Sequence, residues 1–388
     1  MNQRIEFALR ALETDNFRVL CREYGISTKT GYKWRERFIR HGTSGMEEAS
    51  RRPRSSPGGL AEGVVCEMIR IKRQHLSWGP RKVRAVYART HGEVPSESSV
   101  KRVLQRAGYT EQRRVRRQEE AGRLFSGRRA TGPNEVWTVD FKGWWYGVQG
   151  GRCEPLTVRD EFSRYVLEVR AVPDARAQTV RECFERLFER HGMPEALRTD
   201  NGAPFAQVRA VLGLTRLSAW WVALGIDLER GRPGCPQDNG GHERLHLDLA
   251  REVESQRLGE RQPVLDEWRC TFNEERPHEA LAMRTPAEVY TNSTRRFEGT
   301  PADLTYAGMD TRKVQTHGNI GWAGQTIFIS TALQGWSVGL KPSTQHQLWE
   351  VWFGRLLLGR LDAATASFQR AQGGEQISPG HSPGKEEG

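Results

Sequence analysis

The order of strand-like and helix-like segments between residues 134 and 257 constrains the fold most strongly. Three short runs rich in β-branched and aromatic residues precede "ARAQTVRECFERLFERHG", whose apolar residues recur at helical spacing. The next segments predict a strand ("EALRTDNG"), a helix ("LSAWWVALGI"), a strand ("IDLERG") and a helix with Leu245, Leu249 and Val253 four residues apart. Three strands, helix, strand, helix, strand and helix predict an α/β layer with a mixed sheet.

The residues on either side of this region predict further domains. The segment "FRVLCREYGISTKTGYKWRERF" has the pattern of a helix-turn-helix, in which Tyr32, Trp34 and Phe38 anchor the second helix. Residues 305–362 alternate apolar and polar side chains between glycines, as the strands of a small β-barrel do. The predicted boundaries are a helix-turn-helix module at 1–50, a linker at 51–60, a second such module at 61–110, a basic linker at 111–133, the α/β core with a helical extension at 134–290, the barrel at 300–362 and a disordered tail at 363–388.

Positive charge is concentrated in the first third of the chain. Residues 1–131 carry 29 Lys and Arg against 14 Asp and Glu, whereas the whole chain carries 59 against 48. Two basic helical modules predict a polyanionic partner, and DNA is the first candidate; the alternative is a solvated basic surface. The side chains expected to contact DNA are Lys29, Thr30, Lys33 and Arg37 on the first module and Arg81, Lys82, Lys101 and Arg102 on the second.

Composition argues against several classes of protein. No run approaches 18 apolar residues, so the sequence predicts no transmembrane helix and no membrane partner. The first residues, "MNQRIEFALRALETDNF", mix acidic and basic side chains and lack the apolar centre of a secretion signal. The six cysteines form no C-x-x-C pair, which favours reduced thiols and a cytoplasmic protein over a zinc finger or a secreted one.

Three acids lie where they can take part in chemistry. Asp140 is on the first predicted strand, Asp200 ends a later strand before a glycine turn, and Glu243 is on the last helix of the α/β region. Carboxylates that converge repel one another unless a cation joins them, and hard oxygen ligands prefer Mg²⁺ or Mn²⁺. Two such ions would suit cleavage of a phosphodiester. The alternative is that the two aspartates are unrelated strand-end and turn carboxylates.

The segment "HERLH", His242 to His246, also matches the H-E-x-x-H pattern of zinc proteases. On a helix this pattern places two histidines one turn apart, where both can bind zinc while the glutamate acts as a base. No further histidine or glutamate follows at the spacing of the extended motif, and a match this short arises easily by chance. A zinc site is therefore the weaker interpretation of Glu243 and its neighbours.

Several segments, taken in order, carry a resemblance to a known family. "PNEVWTVDFKG", "RTDNGAPF" and "GRPGCPQDNGGHERLH" resemble the acidic motifs of the retroviral-integrase-type core in bacterial insertion-sequence transposases. "FNEERPHEALAMRTP" looks like the segment that follows this core, and "CREYGISTKTGYKWRERF" looks like an N-terminal module of the same group. The resemblance spans about residues 10–290 and implies an RNase H-like fold with a DDE triad.

By motif position the triad is Asp140, Asp200 and Glu243, which would hold Mg²⁺ or Mn²⁺, as two ions. The 42 residues between Asp200 and Glu243 exceed the commonest spacing of the family, and the excess lies around "AQVRAVLGLTRLSAWW". Asp238 competes with Glu243 for the third position, but it lies in the turn that enters the helix. Arg244 and His246, close to Glu243 in sequence, are candidate contacts to the DNA backbone.

The resemblance also implies a reaction and its partners. One strand is hydrolysed at the end of a mobile element, and the freed 3′-hydroxyl then attacks a target phosphodiester in line. The helical modules would read the inverted repeats of the element, and several copies of the chain would assemble in a synaptic complex on the bacterial nucleoid. The C-terminal barrel resembles an SH3-like module. The alternative function is a DNA-binding regulator derived from a transposase with an inactive core.

Overall fold

The computed structural model describes residues 3–47, 59–109, 127–148, 150–232, 239–256, 262–345 and 347–371. These residues form two compact units, Met1–Ala61 and Glu62–Gly388. Most of both predicted linkers, at 51–60 and 111–133, lies outside the described residues, as does Asp238, the competing third acid. Among the described residues, no helix combines the length and the hydropathy that a bilayer-spanning segment needs.

The first unit is a helix-turn-helix domain made of α1 (Gln3–Glu13), α2 (Phe17–Glu23) and α3 (Thr28–His41). The side chains of Asn16 and Ser27 cap α2 and α3 by accepting backbone N–H groups of the first turn. The ring of Phe7 lies at the centre and meets the rings of its aromatic neighbours edge-on. The predicted helix-turn-helix is therefore confirmed.

One predicted anchor of this unit is wrong. Tyr32 is half exposed and stacks on Phe17 at the surface, with 4.2 Å between the ring centroids. The residue of α3 that enters the interior is its neighbour Gly31, which is buried. A Cβ atom on Gly31 would lie 2.5 Å from the sulfur of Cys21 and 3.0 Å from the ring of Phe7. A glycine is required here because the helices approach so closely that no side chain fits between them.

Gly31→Ala is predicted to destabilise the first unit by about 1–3 kcal/mol, because one added methyl overpacks a filled core. Gly63→Ala is the matched control, since Gly63 also lies in a helix and a Cβ there meets no atom within 4 Å. The control should be neutral or stabilise by roughly 0.5–1 kcal/mol through helix propensity. Chemical denaturation of both variants measures the difference, and equal effects would contradict the close packing around Gly31.

The second unit begins with three helices, α4 (Glu62–Gln74), α5 (Pro80–Thr90) and α6 (Glu97–Arg106). Ser96 caps α6, and its hydroxyl accepts the N–H of Ser99. The ammonium group of Lys72 is buried and donates to the carbonyl oxygens of Leu76 and Trp78 in the turn after α4. This interaction closes the turn that leads into α5.

The α/β core has a five-stranded mixed sheet in the order β5-β4-β1-β6-β7. Strand β4 pairs antiparallel with both β1 and β5, while β6 pairs parallel with both β1 and β7. The mixed sheet predicted from the order of segments is therefore confirmed. Its strands are β1 (Val136–Phe141), β4 (Pro155–Asp160), β5 (Val166–Ala171), β6 (Ala196–Thr199) and β7 (Asp227–Arg230), with a hairpin, β2 (Trp145–Tyr146) and β3 (Arg152–Cys153), between β1 and β4.

Helices cover both faces of this sheet. One face packs on α7 (Ala177–His191) and α8 (Arg216–Ala223), and the other packs on α9 (Gly240–Glu252) and α10 (Gln262–Cys270). Successive residues of a strand point to opposite faces, so Leu167 joins the first apolar cluster while Val166 joins the second.

The C-terminal strands form an open sheet in the order β14-β13-β12-β11-β8, together with the separate hairpin β9–β10. No hydrogen-bonded ladder closes the two edges of this sheet among the described residues, so the predicted SH3-like barrel is not confirmed. The strands are β8 (Asp310–Lys313), β9 (Asn319–Trp322), β10 (Gln325–Phe328), β11 (Ser337–Pro342), β12 (Leu348–Phe353), β13 (Leu356–Asp362) and β14 (Ser367–Arg370).

Strand β14 corrects another prediction. It lies inside the segment 363–388, whose composition predicts disorder, yet it pairs antiparallel with β13 in the register Leu361↔Phe368. The apolar ring of Phe368 packs on the C-terminal core, which a sequence rich in small and polar residues does not reveal. The prediction of disorder is wrong for this strand, and residues 372–388 lie beyond the described part of the chain.

Candidate active site

Asp140 and Asp200 lie at the same end of two neighbouring parallel strands. The register of β1 and β6 pairs Thr138 with Arg198, and continuing it by two residues places Asp140 beside Asp200. Paired residues of adjacent strands point to the same face of a sheet, and residues two apart on one strand share a face. Both carboxylates therefore project from the face of the sheet to which Thr138 also points.

The turn after β6 holds the second aspartate in place. The backbone N–H of Gly202 donates to a carboxylate oxygen of Asp200 at 3.2 Å, and the side-chain amide of Asn201 donates to the carbonyl of Gly231 at 2.7 Å. A Cβ atom on Gly202 would lie 2.9 Å from the carboxylate of Asp200. The "DNG" sequence therefore forms a tight turn that closes around its own aspartate.

Helix α9 covers this same face and is held there by polar contacts. His242 is fully buried, and its Nδ1 lies 2.7 Å from the hydroxyl of Thr138. The Nε2 atoms of His242 and His246 both lie 2.9 Å from the hydroxyl of Thr157. Thr157 is paired with Asp140 across β1 and β4, so the histidines fix the first turn of α9 above the strands that carry the acid. Glu243 lies on this turn and is exposed.

The hydrogen bonds define the state of the two histidines. The hydroxyl of Thr157 donates its single proton to the carbonyl oxygen of Asp140 at 2.9 Å, so it can only accept from both Nε2 atoms. Burial lowers the pKa of His242 well below its ordinary value and, with the charge of Lys142, lowers that of His246 to about 4. Both rings are therefore neutral at pH 7 and carry their proton on Nε2.

These contacts bear on the zinc interpretation of "HERLH". Both nitrogens of His242 and the Nε2 of His246 face threonine hydroxyls at hydrogen-bonding distance. Among the described residues, no three His, Cys, Asp or Glu side chains lie close enough together to hold one metal ion, and this applies to Asp140, Asp200 and Glu243 as well. The histidines act here as polar contacts between α9 and the sheet.

The three acids interact electrostatically. The pKa of Asp140 is raised to about 7, first because the side chain is largely buried and then because the carboxylates of Asp200 and Glu243 repel a negative charge there. A hydrogen bond from the backbone of Phe141 opposes this shift. The negative potential of its two neighbours makes the site favourable for a cation.

Asp140→Asn is predicted to stabilise the metal-free chain at pH 8 more than at pH 4. A carboxyl group with a raised pKa binds more protons in the folded state than in the unfolded state, so wild-type stability falls as pH rises from about 4 to about 7. The loss is at most about 4 kcal/mol for a shift of this size. Denaturation in a chelator at several pH values measures it, with the exposed Asp310→Asn as control. Parallel pH profiles for wild type and Asp140→Asn would contradict the raised pKa.

The far side of α9 is held by a buried ion cluster. The guanidinium of Arg276, in the "RPH" motif, donates to Asp248 at 2.8 Å and to Glu252 at 2.9 Å, and its side chain is only 3% exposed. Glu252 also accepts from the indole of Trp268 at 2.7 Å and from the hydroxyl of Ser77, in the turn between α4 and α5. Arg276 therefore joins α9 to the segment after α10, and Glu252 joins it to the helices that precede the core.

Arg276→Met is predicted to destabilise the second unit by about 3–5 kcal/mol, because it leaves two carboxylates of a buried cluster without their cation. Arg244→Met is the matched control. Arg244 also approaches Asp248, at 3.7 Å, but its side chain is half exposed, so its loss should cost at most about 1 kcal/mol. Thermal unfolding of both variants tests the difference, and a small effect of Arg276→Met would mean that the cluster is not held by this cation.

The candidate DNA contacts on the first unit lie on α3. Lys29 and Lys33 are exposed, and Arg37 is partly exposed. Thr30 is engaged locally, because its hydroxyl lies 2.9 Å from that of Ser27 at the helix cap. The basic side chains remain accessible to phosphates, and their predicted contact with DNA stays a prediction.

The candidates on the second helical module differ in their surroundings. Arg81 is exposed and forms ion pairs with Glu97 at 2.8 Å and with Glu279 at 3.0 Å. Lys82 points towards the cluster behind α9, where burial and the charge of Arg276 lower its pKa to about 8. Lys82 therefore lies against the core and does not face outward as a free cation.

The remaining predicted DNA contacts also differ in how exposed they are. Lys101 and Arg102 are exposed on α6, and Arg244 is half exposed on α9. His246 is only 14% exposed and is turned towards the sheet, 3.9 Å from a carboxylate oxygen of Asp140. Thr157, which contacts both histidines, has no signature in the sequence. Arg276 lies in the segment "FNEERPHEALAMRTP", but nothing in that pattern indicates its contacts with α9.

Comparisons with known protein families cover most of this architecture. Two models described as Integrase core domain match residues 130–236 and 224–286. A Helix-turn-helix domain model matches residues 3–54, and a Homeodomain-like domain model matches residues 30–104. A model described as IS481 family transposase, C-terminal domain, matches residues 309–369.

Relatives with similar sequences come from bacterial insertion elements. The insertion element IS407 uncharacterized 31.7 kDa protein of Burkholderia multivorans is 27% identical over 58% of this chain and 80% of its own length. The insertion element IS476 uncharacterized 39.2 kDa protein of Xanthomonas euvesicatoria is 24% identical over 64% of this chain and 70% of its own. These matches and the family models agree with the resemblance seen in the sequence: the chain is similar to proteins of bacterial insertion elements, and its central residues match the integrase core domain.

Among solved structures, the catalytic core domain of BIV integrase is 23% identical over 40% of this chain and 93% of its own, with a TM-score of 0.32. The catalytic core domain of HTLV-2 integrase is 17% identical over 42% of this chain and 100% of its own, with a TM-score of 0.31. The strand order β5-β4-β1-β6-β7 and the residues that match the integrase core models define the fold of the core.

Proposed function

We propose that the protein is a DDE polynucleotidyl transferase that cuts the ends of a mobile element and joins them to target DNA. The observation that supports this proposal is that the carboxylates of Asp200 and Glu243, from two other segments of the core, are near enough to Asp140 to raise its pKa. Asp140 and Asp200 are level on parallel strands, and Glu243 lies on the helix turn that the histidines fix above them. Unrelated strand-end and turn carboxylates would not be expected to influence one another's charge.

The acids also suit a metal cofactor. Three carboxylates offer only hard oxygen ligands, which favour Mg²⁺ or Mn²⁺ over zinc, and two ions would match the family's chemistry. Asp140, Asp200 and Glu243 would hold them, after Glu243 turns towards the aspartates. When bound, the ions would neutralise the carboxylates and stabilise the charge that develops on a phosphate under attack.

The chain's own residues prepare the site for this task. The neutral His242 and His246 hold α9 without adding positive charge that would compete with a cation. Arg276 fixes the opposite side of the helix, so Glu243 is presented from a rigid element. Hydrolysis of one phosphodiester leaves a 3′-hydroxyl, and attack by that hydroxyl exchanges one P–O bond for another, so neither step needs an energy source.

DNA would be held by the helical modules. The exposed basic residues Lys29, Lys33, Lys101 and Arg102 would contact the phosphates of the inverted repeats. Arg81 and Lys82 are paired with acids or turned to the core, so they would contribute less to this binding than the sequence suggests. Joining two element ends to one target requires at least two active sites, which implies a homo-oligomer in the synaptic complex.

Glu243→Gln is predicted to lower cleavage of an element-end duplex in Mg²⁺ by at least a hundredfold while leaving the affinity for that duplex within about twofold. The change removes one ligand charge from the site but no contact that holds α9. Glu189→Gln, on the exposed side of α7, is the control and should cleave as the wild type does. Gel analysis of end-labelled DNA measures cleavage, and fluorescence anisotropy measures binding.

Two outcomes would overturn the proposal. Cleavage by Glu243→Gln at the wild-type rate would remove Glu243 from the catalytic triad. Wild-type protein that binds the element end and shows no cleavage or joining in either Mg²⁺ or Mn²⁺ would instead support the alternative function, a DNA-binding regulator with an inactive core.

A further inference from the structure

The hairpin β2–β3 exposes two aromatic rings close to the acids. Trp144 is 52% exposed and Tyr146 is 58% exposed, and both lie within six residues of Asp140. Their rings meet edge-on with 5.2 Å between centroids, so the two rings are not stacked face to face on one another. A single exposed apolar side chain is ordinary, but two aromatic rings exposed side by side form a candidate binding surface.

The hairpin is firmly anchored, so the exposure is not due to poor packing. Trp145 is only 6% exposed and belongs to the apolar cluster that α9 and α10 form with β5. Lys142, just before the hairpin, donates to Glu254 at 2.7 Å, beyond the C-terminal end of α9. Neighbouring residues of an extended chain point to opposite sides, so anchoring Trp145 turns Trp144 and Tyr146 outward.

The hairpin also extends from the end of the sheet that carries the acids. The last pair of β1 and β4 is Phe141 with Leu156, and the N–H of Lys142 donates to the carbonyl of Pro155 at 3.1 Å. Trp144 follows Asp140 by four residues, so their Cα atoms are at most about 14 Å apart. This distance is the rise of about four base pairs along one strand of DNA.

A cation accompanies the exposed rings. The guanidinium of Arg152, on β3, lies over one face of the Trp144 ring, 5.2 Å from its centroid, and pairs with Glu154 at 2.7 Å. A flat aromatic surface with a nearby arginine is the combination that binds unpaired bases of nucleic acids, because the ring stacks on the base and the cation attracts the phosphate. An apolar protein partner would not need either an aromatic face or the cation.

We infer that Trp144 and Tyr146 form a stacking platform for an unpaired nucleobase of the DNA strand that passes the acids. The platform would hold a frayed or cleaved strand end within about four nucleotides of the reacting phosphate. This inference rests on the proposed function for the identity of the DNA, but base binding itself requires neither a metal ion nor catalysis. It assigns a substrate contact to a hairpin that the DDE chemistry does not use.

The test uses the full chain carrying Asp140→Asn, in a chelator, so that no DNA is cut. The probe is a duplex with a three-nucleotide single-stranded 3′ overhang that contains 2-aminopurine, and the fully paired duplex is the reference. Trp144→Ala should weaken binding of the overhang duplex by about 5- to 100-fold and abolish the quenching of 2-aminopurine. Binding of the fully paired duplex should change by less than about twofold.

Two further variants separate base stacking from apolar contact. Trp144→Phe keeps an aromatic face and should retain most of the affinity and quenching, whereas Trp144→Leu keeps apolar area alone and should behave as Trp144→Ala does. Phe328→Ala removes a ring of similar exposure from the C-terminal domain and should have no effect. Each of these exposed side chains can be changed with little effect on folding.

The inference is overturned if Trp144→Ala binds the overhang duplex as tightly as the parent chain does. It is also overturned if Trp144→Leu retains binding, or if Trp144→Ala mainly lowers self-association in sedimentation, since either result would identify a protein-binding surface. Because the readout is independent of cleavage, a normal rate for Glu243→Gln would refute the proposed catalytic triad and leave the stacking platform standing.

Discussion

The pairing of β1 with a strand on each side is the interaction on which the site depends. Its antiparallel partner β4 brings Thr157 opposite Asp140, and its parallel partner β6 brings Asp200 to the same level. A shift of one residue in either register would turn an acid to the other face, where Trp137 and Val139 pack against α7 and α8. Apolar packing of β1 against α7 and α8 therefore fixes Asp140 on the opposite face, which α9 covers.

Helix α9 is attached to the sheet by apolar contacts, and the polar side chains that it buries fix its position. Apolar contacts through Leu245 and Leu249 attach the helix to the sheet, but they permit small rotations. The hydrogen bonds of His242 permit one position only, because both ring nitrogens are matched to threonine hydroxyls. Arg276 adds a second fixed point on the opposite side of the helix. A side chain on the first turn of α9, such as that of Glu243, is therefore positioned by contacts on both sides of the helix.

Much of this arrangement could be predicted because it follows from local periodicity. The strand and helix order of the core, the cap at Ser96 and the buried positions of α9 depend on residues near one another in sequence. Tyr32 and β14 were mispredicted because their environments depend on distant contacts, a close helix crossing at Gly31 and a ladder with β13. The barrel was not confirmed, because alternation reveals strands and gives no information on whether the outer edges pair.

The H-E-x-x-H segment shows why a short motif needs its surroundings. The spacing places two histidines on one face of α9 in either interpretation, and only the facing strand decides what they do. Thr138 and Thr157 contact both ring nitrogens of His242 and the Nε2 of His246, whereas Glu243, one residue after His242, is exposed. Strand β1 supplies the hydroxyl of Thr138 and also carries Asp140 two residues further on, whereas Thr157 lies on β4, opposite Asp140. The contacts of the histidines and the position of Asp140 therefore depend on the same pairing of β1 with β4.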